Sequence, residues 1–146
     1  MKKLLFVVTI AAASAIGIQP IVAGPLQDVE IRKVPAKHTK ADSGSQMFRE
    51  YCAACHGVNG IGDGPAVPAL KTAPADLTGM SARNGGKFPS MDAMAILRGT
   101  KEMAAHGSAD MPTWGPIFRT LDTNSQPAIM ELRIHNLTEY LKSIQK

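Results

Sequence analysis

Apolar side chains recur at steps of four and three near the end of the chain: Met130, Ile134, Leu137, Leu141 and Ile144. That spacing makes one apolar stripe on a helix, which Pro127 opens as a first-turn proline and which runs to about Ile144. A second helical pattern begins after Ser43 or Ser45, either of which can cap it, and carries Met47, Phe48, Tyr51, Cys52 and Cys55. Phe48, Cys52 and Cys55 share one of its faces. A third, short helix is predicted from Ser90 to Leu97, stopped by Gly99. Between these, Gly and Pro prevent regular structure from Gly57 to Pro68, and 71–89 allow short turns at most. Residues 100–125 read as irregular. No stretch alternates as a strand does, so the fold class is all-α with few helices and long loops.

The first residues form a different pattern. Lys2 and Lys3 precede an uncharged, mostly apolar run from Leu4 to Ile18, and Gln19 and Pro20 break it before Ile21-Val22-Ala23. This reads as an export signal over 1–23, cleaved after Ala23. The alternative is an uncleaved anchor, for which the run is short of the ~20 residues of a span. Residues 24–42 are polar, with Pro25 and Pro35, and read as an extended tail that adds little core. The folded domain is expected over 43–146. Loss of 1–23 lowers Lys+Arg from 16 to 14 against 12 acids, a net charge of +2. So weak an excess, with no basic run, does not argue for nucleic acid as a partner.

Both cysteines fall in Cys52-Ala53-Ala54-Cys55-His56. A disulfide there would close a tiny loop and stabilise very little. C-x-x-C-H is the attachment motif of haem c: the two thiols bond the porphyrin, and the imidazole that follows ligates iron from the proximal side. A thioredoxin-like redox pair would need a βαβ setting, which is missing. A zinc site would need four ligands, and His38, His106 and His135 show no paired spacing. The haem also answers a packing question. Aromatic residues are 5% of the chain, and a few helices with Gly/Pro-rich loops bury little on their own, so an internal apolar partner is required.

Phe48-x-x-Tyr51-Cys52-x-x-Cys55-His56-Gly57, then Gly62-Asp63-Gly64-Pro65 and Met111-Pro112-x-Trp114-Gly115, resemble the class I monohaem cytochromes c over about Gly44 to Ile144. The resemblance implies one covalent haem c wrapped by helices, with the first helix crossing the last. Gly44 and Phe48 would meet Leu137, Tyr140 or Leu141 at that crossing. It also implies a loop methionine on the distal side of iron, and Met111, followed by rigid Pro112, matches that position. Met47 and Met130 lie on terminal helices, Met91 and Met94 are assigned to the core, and Met80 and Met103 lack a supporting motif. His106 is the rival distal ligand. In the family a proline carbonyl accepts the second ring proton of the proximal histidine. Pro65 fits that role here, with Pro68 behind it. Trp114 either donates to a haem propionate or packs over the haem rim.

The expected function is single-electron transfer on the periplasmic side, to and from redox protein partners met in small, transient interfaces. No catalytic constellation competes with it. Two alternatives stand beside it: a haem subunit of a larger respiratory oxidase or dehydrogenase at the membrane, and a haem-based gas sensor or weak peroxidase.

Overall fold

The computed structural model describes residues 35–101, 111–122 and 126–146. The export signal, residues 24–34 of the tail, Met103 and His106 lie outside the described residues. Among the described residues there is no strand, and five helices form the framework. None of the helices searched there is long and apolar enough to cross a membrane.

Helix α1 (44–56) has three parts: α-helical Gly44–Met47, a π turn Phe48–Cys52 and α-helical Ala53–His56. Ser43 caps it, its hydroxyl accepting the Gln46 N–H at 3.3 Å. In the π turn the Ala53 N–H reaches back to the Phe48 carbonyl. The buried pairs Met47/Phe48 and Cys52/Ala53 stand five residues apart, the spacing of that wider turn, so both pairs face inward.

After a 3-10 turn at Leu77–Gly79 comes the single turn α2 (Met80–Arg83). Helix α3 (Ser90–Arg98) ends, as its sequence predicts, at Gly99 in the left-handed conformation with φ 82°. Its buried residues are Ala93 and Leu97, one turn apart. Met91, assigned to the core from sequence, lies two positions off that face and is 75% exposed. Helix α4 (Trp114–Thr120) falls where the sequence predicts irregular chain. Gly115 and Pro116 hide it from a propensity reading, yet both sit in its first turn, where a missing N–H costs nothing.

The core gathers on α5 (Pro127–Ser143), against which α1, α3 and α4 all pack. The α1–α5 crossing is where the resemblance puts it. A Cβ on Gly44 would run into the Asn136 carbonyl oxygen, and the rings of Phe48 and Tyr140 lie 5.2 Å apart. Ile134 and Leu137 of the stripe are fully buried. So is Arg133, whose register, three residues after Met130, places it on the same face. Its guanidinium is held by the Asp122 carboxylate, with Nη2–Oδ2 at 3.0 Å and Nε–Oδ2 at 3.1 Å.

The described part of the tail, 35–42, has no helix or strand and ends in a turn at Ala41 and Asp42. It contributes one buried side chain, Thr39, which is 1% exposed. Buried hydroxyls need partners, and Thr39 finds them in Arg133 and Tyr51.

Candidate functional site

A helix leaves its last four carbonyls without intrahelical donors. In α1 these are Ala53, Ala54, Cys55 and His56, and the following loop supplies all four N–H groups. Gly57 bonds Ala53, Ala66 bonds Ala54, Gly64 bonds Cys55 and Gly62 bonds His56, at 2.8–3.1 Å. The loop therefore folds back over the C-x-x-C-H turn. Gly64 marks the tightest approach: a Cβ there would meet the Cys55 carbonyl carbon at 2.6 Å.

The same folding back brings a backbone partner to His56. Its Nδ1 stands 3.0 Å from the Ala75 carbonyl oxygen. A carbonyl only accepts, so Nδ1 is the donor of this bond. The sequence points to Pro65 for this role, and the structure assigns it differently. Pro65 and Pro68 are exposed, because Gly64 and Ala66 on either side of Pro65 are bonded to the end of α1. The chain reaches the imidazole at Ala75, where Asp76 fixes the next turn by accepting from the Thr78 N–H (2.8 Å) and hydroxyl (2.6 Å). The Thr78 hydroxyl, then its N–H, hold the Asp76 carboxyl below the usual carboxylate range.

Cys52, His56 and Met111 line two adjoining hollows of about 500 and 620 Å³, counted out to open solvent. Cys55 and Trp114 line the first, with Tyr51, Leu70 and Pro74. Leu77, Ala93, Leu97 and Leu141 line the second. The structure thus brings Cys52, Cys55, His56, Met111 and Trp114 to one mostly apolar cleft and leaves Pro65 outside it. Trp114 is packed as an aromatic layer, with ring centroids 5.3 Å from Tyr51 and 5.9 Å from Phe118. His106, the rival to Met111, lies outside the described residues. Tyr51 and Arg83 also border the cleft, and sequence reasoning misses both. Tyr51 could have been suspected from its place beside Cys52. Nothing near Arg83 in the sequence marks it.

Burial, and then the charge of neighbouring Cys55, push the Cys52 thiol up to about 12. A thiol–disulfide catalyst needs the opposite shift, since the thiolate is its nucleophile. Among the described residues no three of His, Cys, Asp and Glu gather as a metal cluster would require. A haem fits the donor set. Two thiols and an imidazole stand on one wall of an apolar cleft, and a thioether side chain borders both of its hollows.

A family model described as Cytochrome c matches residues 41–145. No curated protein and no solved structure is similar enough to add to this. The match runs from α1 to α5 and takes in every described residue of the cleft, and on that ground the chain belongs to the cytochrome c family.

Proposed function

We propose that this chain is an exported single-electron carrier. Cys52 and Cys55 would hold one haem c through thioethers, and His56 and Met111 would ligate its iron. The observation that carries this reading is the meeting of those four residues at one apolar cleft. The haem, when bound, supplies an iron that takes up and returns one electron.

The protein residues have separable tasks. Cys52 and Cys55 make the attachment permanent. Ala75 holds the His56 ring in the tautomer that offers Nε2 to the metal. Met111 offers a thioether, which favours the ferrous state, and Pro112 stiffens the chain beside it. With His56 and Met111 both as ligands, the iron would keep no site for a substrate, which would separate a carrier from a gas sensor or peroxidase. Leu70, Leu77 and Leu97 keep water from the cleft walls. Arg83 brings a cation to the rim, complementary to haem carboxylates. Partner proteins would meet the protein in a small, short-lived interface.

Intact-mass spectrometry of the denatured protein together with voltammetry tests the reading. The expected result is a chain beginning near Gly24, heavier by one haem, with a reversible one-electron wave. A mass equal to the bare polypeptide would refute it.

A further inference from the structure

Residues 35–40 precede the region matched by the family model, 41–145, yet they are tied to the wall of the cleft. The Thr39 hydroxyl stands 2.9 Å from the Tyr51 phenol oxygen and 3.0 Å from Nη1 of Arg133. The phenol donates its single proton to the Lys37 carbonyl at 2.6 Å. Thr39 must therefore donate to Tyr51, and Arg133, which only donates, gives to Thr39. The result is a directed chain from Arg133 through Thr39 and Tyr51 to the Lys37 carbonyl. One end is immobile, because Arg133 is fully buried and forked onto Asp122. The other end reaches the cleft, where Tyr51 lies against Trp114. Further bonds hold the segment down: Lys37 to Glu50 at 2.7 Å, and Asn136 to the Ala41 carbonyl at 3.0 Å.

We propose that Thr39 is a positioning residue for the haem site, acting through Tyr51. The strap 35–42 holds the phenol against Trp114 and closes that wall of the cleft to water. This rests on the reading of the chain as a haem carrier. A loosened Tyr51 would admit water, and a wetter cleft stabilises the more highly charged ferric state. The potential would then fall. Trp114 is three residues from Met111, so the sixth ligand would also become easier to displace.

The haem-loaded full chain provides the test. Thr39→Val removes the hydroxyl and keeps the shape, Thr39→Ser keeps the hydroxyl, and Tyr51→Phe removes the other partner. The readouts are the reduction potential and the affinity of the ferric protein for imidazole. Thr39→Val and Tyr51→Phe should each lower the potential and tighten imidazole binding several-fold. Thr39→Ser should match the wild type, and adding Thr39→Val to Tyr51→Phe should change nothing further. Should Thr39→Val fail to fold, Tyr51→Phe still reads the same link. A wild-type potential and imidazole affinity in either variant, with covalent haem present, overturns the proposal alone. A wild-type protein without covalent haem overturns the carrier reading and this proposal with it.

Discussion

His56 Nδ1 and the Ala75 carbonyl oxygen, nineteen residues apart in sequence, are joined at 3.0 Å. This bond closes a loop that has already satisfied the last four carbonyls of α1, so the orientation of the imidazole depends on how tightly that loop lies down.

Gly64→Ala tests the dependence. The added methyl meets backbone atoms of Cys55 and Ala54, which have no side-chain freedom with which to yield. The expected cost is about 1–3 kcal/mol, the range for overpacking a tight site. It should appear as a lower Tm of the haem-loaded protein, while Gly85→Ala, with nothing within 4 Å of the new Cβ, should cost less, limited to backbone strain at its positive φ. Equal losses in the two variants would show that the approach at Gly64 is not tight.

Cys52→Ala with Cys55→Ala should leave a chain without cooperative thermal unfolding, followed by circular dichroism. Leu97, Trp114 and Leu141 belong at once to the hydrophobic core and to the cleft wall. An unfilled cleft therefore strips contacts from the core itself. A sharp transition in the haem-free variant would mean that the polypeptide packs adequately alone.

Asp122→Asn should destabilise by about 3 kcal/mol, the lower end for breaking a buried pair, since it leaves the Arg133 cation buried and uncompensated. The pH dependence has a definite sign. Burial alone would raise the Asp122 carboxyl, but hydrogen bonds from Arg133 and then His38 outweigh it and hold the group below its usual value. A carboxyl lowered on folding adds stability above its unfolded pKa of ~4, and that stability is lost as pH falls through the lower folded value. Denaturant titrations of wild type and variant should thus diverge at neutral pH and converge in acid. Parallel curves down to low pH would contradict the pairing.

Three of the helices were legible because each carries its own local signal: the Ser43 cap for α1, Gly99 for α3, and the stripe with Pro127 for α5. Helix α4 was not, since the Gly115-Pro116 pair that reads as a breaker is harmless in a first turn. That the two thiols and the imidazole line one cleft was legible from their spacing, which puts them within one helical turn. The acceptor for His56 was not legible. Any carbonyl in the loop is chemically eligible, and tertiary folding brings Ala75 to the ring and turns Pro65 to solvent. Arg133 could be placed on the apolar stripe by register. Its partners Asp122 and Thr39 come from segments that no periodicity connects to it.

The distal ligand gives the most direct test of the central claim that His56 and Met111 close the iron and leave it to electron transfer. The measurement is the near-infrared spectrum of the oxidised protein, with carbon monoxide binding to the reduced one, in wild type, Met111→Ala and His106→Ala. Wild type and His106→Ala should show the weak sulfur–iron band and exclude carbon monoxide, whereas Met111→Ala should lose the band, bind carbon monoxide and fall in potential. If His106→Ala opens the iron and Met111→Ala does not, the ligation is bis-histidine, and Met111 lines the cleft without binding the metal.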